Sequence, residues 1–294
     1  MILLHIQGGL GNQLFQYAAA RHLCKRLHTK LYIDISPLQN DLYGRSYRLN
    51  HFNVKVLPAN NMNMQIWNRF NGTSLLSHIT TKVATNLPKS MRYISVREQQ
   101  FHFDDSFFHL RGNVSLQGYY QSLRYFEPIE ILIRDELTLK EEPTLQSRQI
   151  AAEMQESNSI SLHVRRADYI TDPGASKVFA IQTVEYYQQA IMEMRAQIKE
   201  PHFFIFSDDM EWCRQNLFLE KNAIYVDHNG VDRDYEDIWL MGQCKHHIIA
   251  NSSFSWWGAW LGNNPEKRVI APKRWFIDSA HNDKDLIPSN WIRL

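Results

Sequence analysis

The chain has 294 residues, of which 44% are hydrophobic and 21% are charged. That composition supports one large or two smaller folded domains and excludes an intrinsically disordered chain. Lys and Arg total 32 against 31 Asp and Glu, so the formal net charge of +1 argues against a dedicated nucleic-acid-binding protein.

The chain has three cysteines, an odd number, and no two of them form a C-x-x-C motif. This pattern favours a reducing compartment over a disulfide framework or a zinc ribbon. Residues 1–20 lack the basic start of a signal peptide, and no stretch approaches the roughly 20 apolar residues of a membrane span. We therefore predict a cytoplasmic protein, with peripheral contact at the inner face of a bacterial membrane left open.

The N-terminal elements follow the order strand, turn, helix, strand. Short apolar strands are predicted over Ile2–Ile6 and Leu31–Ile35, and the four-residue spacing of apolar side chains predicts a helix from Asn12 to about His28. Residues 40–130 show no regular period. Residues 135–158 are polar and predict a connector or a surface helix.

From Ser159 onward short apolar strands alternate with helical stretches. The predicted strands are Ser159–Arg165, Phe203–Ser207, Ala223–Val226, His247–Ala250 and Arg268–Ala271. The predicted helices cover 183–199, 209–219, 234–244 and 254–262. This alternation indicates a parallel sheet with helices on both faces. We predict two α/β domains, 1–150 and 151–294, with the C-terminal segment free to pack back on the first.

A glycine-rich loop, Gly8–Gln13, joins the first strand to the first helix. Gly9 and Gly11 match the start of G-x-G-x-x-G, but Leu14 stands where the third glycine should be. Asp34 lies about 20 residues further on, as a ribose-binding acid would. The loop is therefore either a tight turn, a site for an anionic ligand at a helix N-terminus, or part of a nicotinamide-dependent oxidoreductase.

The segment Ser161–Tyr169 ends an apolar strand with two arginines. Because side chains alternate along a strand, His163 and Arg165 share one face near the carboxyl end, where open α/β sheets bind ligands. Arg165 offers a planar fork that matches phosphate oxygens. Arg166 is expected to turn away and pair with an acid such as Asp168. A surface salt-bridge cluster is the alternative.

Two further strand ends carry polar residues. After Phe206-Ser207, Asp208 is expected to orient Arg165 or bind ligand hydroxyls, and Asp209 to start a helix. In 251–260 the serines either cap a helix or present hydroxyls and N–H groups to a phosphate. Phe254, Trp257 and Leu261 form a helical stripe that predicts core.

Several acidic residues are candidate ligands for a substrate or a cation. Either Glu236 or Asp237 could face a ligand from the next helix. Two D-x-D pairs, Asp232 with Asp234 and Asp283 with Asp285, lie in polar loops beside Arg or Lys, and two acids alone make a poor cation site. We predict that no metal and no other cofactor is required.

Four segments occur in a characteristic order. They are Gly8–Tyr17, His163–Tyr169, Phe206–Asp209 and Asn251–Gly258. Together they resemble the bacterial α-1,2-fucosyltransferases of glycosyltransferase family 11, and Gly118–Ser122 with Tyr125-Phe126 resembles another segment of that family. The likeness covers nearly the whole chain. Ala167 replaces the usual glycine, and residues 60–100, the least similar stretch, are expected to carry acceptor specificity.

The resemblance implies a GT-B fold, in which two Rossmann-like domains face a cleft, and inverting transfer without metal. It implies GDP-β-L-fucose bound mainly by the C-terminal domain, and a terminal β-galactoside, on a lipid-linked O-antigen repeat, nearer the N-terminal one. No nucleic-acid partner is expected. A nicotinamide-dependent oxidoreductase is the runner-up, and a non-catalytic glycan-binding protein is the third reading.

The resemblance also implies roles for individual residues. His163 and Asp237 would contact guanine, Arg165 would bind the β-phosphate with help from Ser252 and Ser253, and Asn12 would orient groups at the reacting centre. The donor-binding set implied is Gly9, Gly11, Gln13, His163, Asp168, Asp208, Asp237, Asn251, Ser252, Ser253 and Phe254. No residue is identified as the catalytic base.

Overall fold

The computed structural model describes residues 1–39, 41, 44–60, 93–166, 178–217, 219, 223–277 and 281–294. It divides into two compact units, Met1–Thr138 and Leu139–Leu294. Within the described residues, no helix is long and apolar enough to cross a membrane. The three cysteines are buried and free.

The first unit contains a parallel sheet whose order is β3-β2-β1-β5-β4 in the described part. Its strands are β1 Ile2–His5, β2 Leu31–Asp34, β3 Leu57–Pro58, β4 Tyr93–Arg97 and β5 Asn113–Gln117. Its α-helices are α1 Leu10–Arg26, α2 Ser36–Gln39 and α3 Glu130–Glu136. Short 3-10 turns cover Leu49–His51, Asp105–His109, Leu123–Tyr125 and Glu127–Ile129. The strands β4 and β5 lie in the stretch that showed no sequence period.

Helix α1 runs through the interior of the first unit. Nearly every side chain between Leu10 and Cys24 is buried, which explains why its sequence is almost free of charge. The helix begins at Leu10 rather than at the predicted Asn12, because Gly9 already holds the extended N-cap conformation and its carbonyl accepts from the Asn12 N–H at 3.0 Å.

The second unit contains a parallel sheet of order β11-β10-β9-β6-β7-β8. Its strands are β6 Asn158–Val164, β7 Pro201–Ser207, β8 Ala223–Tyr225, β9 His246–Ile248, β10 Val269–Ala271 and β11 Ile292–Arg293. Its α-helices are α4 Leu145–Glu156, α5 Val184–Gln197, α6 Met210–Asn216, α7 Asp234–Gln243 and α8 Ser253–Leu261, with a 3-10 turn at Val231–Arg233.

The central strand β6 fixes the position of the candidate site. Ile160, Leu162 and Val164 are fully buried and pack with Tyr187 and Ile191 of α5. Its pairing with β7 ends at Val164–Ser207. The predicted strand end at Arg165 is therefore one residue too late, because that residue has left the ladder and begins the following loop.

The division between the units falls at 138/139, before the predicted boundary at 150/151. The predicted connector contains α4, which belongs to the second unit because Ser147, Ala151 and Met154 form a buried stripe facing β6 and α7. The C-terminal strand β11 pairs with β10, so it completes the second sheet and belongs to the second unit rather than the first.

Candidate active site

His163 lies at the carboxyl end of β6 and is almost completely buried, with 3% of its surface exposed. Burial, helped by the positive charge of Arg165, lowers its pKa to about 3, so the imidazole is neutral at physiological pH. Within the described residues its Nδ1 has no hydrogen-bond partner. Its ring lies 5.7 Å from the Phe254 ring. A neutral buried imidazole of this kind is ready to bond a ligand group.

Asp208 holds the loop that follows β6. One carboxylate oxygen pairs with Arg165 Nε at 3.2 Å, and the other accepts the Arg166 main-chain N–H at 2.9 Å. Because Nε is the atom engaged, the terminal nitrogens of Arg165 lie beyond that contact, and 31% of its side chain is exposed. The expectation that Asp208 orients Arg165 agrees with this geometry.

Arg166 turns to different partners, as strand alternation predicts. Its guanidinium lies over the Trp212 ring, 4.2 Å from the centroid, and its Nε is 3.6 Å from Asp209 Oδ2. Asp209 also caps α6 by accepting the Trp212 N–H at 3.1 Å. The anticipated partner Asp168 lies outside the described residues. Arg166 therefore anchors the loop through packing and an ion pair.

The N-terminus of α8 carries the serines. Ser252 caps the helix by accepting the Phe254 N–H at 3.3 Å, and Ser253 is its first residue. Buried Asn251 donates through Nδ2 to the carbonyls of Ala180 and Trp275 at 2.7 and 2.9 Å, so this amide ties together the chain around the site. Within the predicted core stripe, Trp257 is fully buried. Phe254 is only half-buried and faces His163.

The structure distinguishes the two acids of α7. Glu236 is buried and accepts the Thr144 N–H at 3.0 Å, which attaches α7 to the start of α4. Asp237 instead accepts from Asn229 Nδ2 at 2.7 Å, and burial raises its pKa to about 7. Asp237 is thus the acid in a setting suited to a ligand. Asn229 was not predicted because it lies in an irregular loop.

In the first unit, the glycine loop is held by buried amides. Gln13 donates to the carbonyls of Gly8 and Ser46, both at 2.9 Å, and accepts the Arg48 N–H at 3.0 Å. Its side chain therefore serves the turn itself. Gly11 is buried in the first turn of α1.

Two positions of this loop have a different environment. A Cβ on Gly9 would meet nothing within 4 Å, so packing does not demand glycine there. Asn12 is half-buried, and its Oδ1 accepts from Gln121 Nε2 at 2.7 Å. Gln121 belongs to the family-like segment Gly118–Ser122, and Asn12 belongs to Gly8–Tyr17. The two family-like segments of the first unit therefore meet at Asn12.

Asp34 does not have the setting of a ribose-binding acid. Its carboxylate contacts His5 Nδ1 at 2.8 Å and accepts the Ser36 N–H at 2.9 Å. Both oxygens are committed within the first unit, which removes the main support for the nicotinamide interpretation.

One of the candidate cation ligands has a partner of opposite charge. Asp283 pairs with Arg293 at 2.7 Å. In the described part of the chain no three His, Cys, Asp or Glu side chains come together as a metal site would require.

Known proteins share both the sequence and the architecture. The family model of Glycosyl transferase family 11 matches residues 1–294. Alpha-1,2-colitosyltransferase of Escherichia coli is 30% identical over 100% of this chain and 99% of its own. The O-antigen biosynthesis glycosyltransferase WbnK, also of Escherichia coli, is 30% identical over 98% of this chain and 99% of its own.

The fold is shared more widely. The crystal structure of fucosyltransferase NodZ from Bradyrhizobium aligns with a TM-score of 0.50 at 17% identity, covering 87% of this chain and 92% of that one. This likeness, with the two parallel α/β units, confirms the predicted GT-B type of fold. Because the family model and two relatives span essentially the whole chain, the chain belongs to glycosyltransferase family 11 and is a glycosyltransferase.

Proposed function

We propose that this enzyme transfers L-fucose from GDP-β-L-fucose to the 2-hydroxyl of a terminal β-galactoside, with inversion, during synthesis of O-antigen or a related surface polysaccharide. The observation that carries the donor assignment is Arg165, pinned by Asp208 beside the neutral, buried His163 at the end of β6. The linkage and the pathway are supported by the names of the two Escherichia coli relatives.

The leaving group requires positive charge. When the bond from fucose to GDP breaks, the β-phosphate gains negative charge, and fixed donors stabilise that charge better than mobile water does. Asp208 holds Arg165 through Nε, and we assign the guanidinium to the phosphate oxygens because its planar fork matches their geometry. Ser252 and Ser253 open α8, whose N-terminal N–H groups and dipole favour an anion.

The base is recognised by the buried polar groups. A neutral imidazole Nδ1 accepts or donates one hydrogen bond according to its tautomer, so His163 can form a hydrogen bond with the edge of guanine. The Phe254 ring lies beside the His163 ring and can cover the face of the guanine. Asp237, held by Asn229, offers a carboxyl that accepts from the guanine N–H groups when ionised. Asp168 belongs to the same proposed set.

The reaction is proposed to need no divalent cation, because Arg165 and the α8 N-terminus supply the charge that a metal would supply. We further propose that the acceptor is presented on a lipid, so that the enzyme works at the inner face of the membrane through peripheral contact.

A colitosyl donor is the second candidate, favoured by the relative that carries that activity in its name. Mass spectrometry of products separates the two. Purified enzyme is given GDP-fucose, the colitosyl nucleotide, or both in competition, together with a panel of β- and α-galactosides. A fucosylated β-galactoside formed in preference supports the proposal. If colitosyl transfer is preferred, the colitosyl nucleotide replaces GDP-fucose as the proposed donor. If the protein binds a galactoside but forms no product from either donor, the result supports a glycan-binding protein.

A further inference from the structure

A cavity of about 200 Å³ lies in the first unit, and none of the residues assigned to the donor lines it. It opens at the carboxyl ends of three parallel strands: Gln7 follows β1, Glu98 follows β4, and Tyr119 follows β5. Open α/β sheets bind ligands at this edge. A cavity of this volume holds several waters, which suits a single sugar ring.

The lining of this cavity has the chemistry of saccharide recognition. The rings of Phe101 and Tyr119 lie nearly parallel, 10° apart in plane and 6.4 Å between centroids, and present flat faces with one polar tip. Amide side chains such as Gln7 and Gln117 offer both donors and an acceptor. Sugar rings combine apolar C–H faces with hydroxyls that donate and accept, so this lining complements them.

Glu98 is the carboxyl group of the cavity. Its two oxygens accept the main-chain N–H groups of Tyr119 at 2.6 Å and Tyr120 at 3.0 Å, which fixes its direction. Gly118 makes this approach possible: it has φ +156°, and a Cβ there would collide with the Glu98 side chain. Each carboxylate oxygen keeps a second lone pair.

We propose that this cavity holds the acceptor galactose and that Glu98 is the catalytic base; the proposal rests on the function proposed above. Glu98 takes the proton of the attacking hydroxyl, whose oxygen forms the bond to the anomeric carbon of the donor. The electron pair of the broken bond leaves with the β-phosphate of GDP.

The titration of Glu98 fits this role. Burial outweighs the two N–H groups and raises its pKa to about 7, near the value at which a general base works best in neutral solution. The charged and titratable groups around it are Arg97, Asp104, Tyr119, Tyr120 and Tyr125. Because the carboxylate is the active form, turnover should fall as the pH drops below about 7.

The test compares Glu98→Gln with the matched surface variant Glu130→Gln, whose i,i+4 pair with Arg134 lies on α3. Glu98→Gln should lower turnover at saturating galactoside on the order of a hundredfold or more. It should also abolish the acidic limb of the pH profile and leave the affinity for GDP as in wild type. The melting temperature should fall, because the Gln amide nitrogen cannot accept the main-chain N–H that one carboxylate oxygen accepts in wild type. Glu130→Gln should behave as wild type.

Three results would overturn the proposal. One is a folded Glu98→Gln enzyme that transfers at nearly the wild-type rate. Another is a Glu98→Gln enzyme whose loss of activity is fully matched by losses of stability and of GDP affinity, because such a result indicates that Glu98 has a structural role. If Glu98→Gln does not fold, a wild-type pH profile that is flat between pH 6 and 8 decides against the base. Absence of product from wild-type enzyme with either donor overturns the proposed function, and the role of Glu98 with it.

Discussion

The loop after β1 and the loop after β6 occupy equivalent places in two parallel sheets, yet their polar residues behave differently. After β1, Gln13 and Gln16 are fully buried and bond main-chain groups of their own unit. After β6, the buried Nδ1 of His163 has no partner within the described residues, and Asp208 contacts Arg165 at Nε. The same topology therefore provides a scaffold in one unit and a ligand-ready surface in the other.

This difference shows how to separate structural from functional polar groups. A buried amide that satisfies its own turn stabilises the fold, because leaving main-chain groups unpaired costs about 1–3 kcal/mol each. A buried polar atom without a partner carries that cost in the free protein and recovers it when a ligand binds. By this criterion His163 is a candidate for ligand contact, whereas Gln13 supports the loop.

The largest effect is expected at Arg165. Arg165→Lys keeps the charge but loses the planar fork, so turnover should fall on the order of a hundredfold or more. The melting temperature should hold, because the apolar face of β6 is untouched. Steady-state kinetics and thermal denaturation measure the two quantities separately.

Arg166→Lys is the matched control. It loses the stacking on Trp212, worth about 0.5–2 kcal/mol, so it should lower the melting temperature more than the turnover. A well-folded, nearly fully active Arg165→Lys enzyme would show that the wrong arginine has been assigned.

The next largest effect is a difference in stability between alanine variants of two adjacent glycines in the loop after β1. Gly8 has φ +76°, and a Cβ there would come within 2.7 Å of Asn12 Nδ2, so Gly8→Ala should destabilise the protein by roughly 1–2 kcal/mol. Gly9→Ala meets open space and should leave the melting temperature nearly unchanged. If Gly9 serves ligand approach, its alanine variant should still raise a KM. Unchanged KM values for both substrates would make Gly9 part of the scaffold only.

Sequence patterns predicted the parts of this molecule that depend on local order. The apolar alternation before His163 predicted the buried strand β6, since burial of β6 follows directly from its side chains. Glu98 and Asn229 were missed for a common reason. Each lies in a stretch without a regular period, and its partner is brought to it only when the chain folds. The partner of Glu98 is the Tyr119 N–H, and the partner of Asn229 is Asp237. Helix α4 was predicted only as a connector or a surface helix, because Met154 is the one large apolar side chain in its buried stripe.

A smaller effect concerns pH and stability. The pKa of His163 is about 3 in the folded protein against about 6.5 when exposed, so below pH 6.5 the unfolded chain binds a proton that the folded chain does not. The free energy of unfolding therefore decreases as the pH decreases. This one group contributes about 1.4 kcal/mol per pH unit between roughly pH 6.5 and 3. Denaturant unfolding of wild type and His163→Gln at pH 7.5 and 5.5 measures it. The variant should show the shallower dependence, and an equal slope in both proteins would contradict a neutral buried His163.

The smallest effect is expected from chelation. If Arg165 and the start of α8 neutralise the β-phosphate, removing divalent cations leaves the developing charge as well stabilised as before. Of the four D-x-D acids, Asp283 is paired with Arg293, and within the described residues no three His, Cys, Asp or Glu side chains come together as a metal site would require. Dialysis against EDTA should therefore leave the transfer rate unchanged within error, and added Mg²⁺ or Mn²⁺ should not raise it. Loss of activity in EDTA that Mn²⁺ restores would place a cation where we place Arg165. Arg165→Lys assayed with and without Mn²⁺ sharpens the comparison, because a metal-independent site gives the same defect in both.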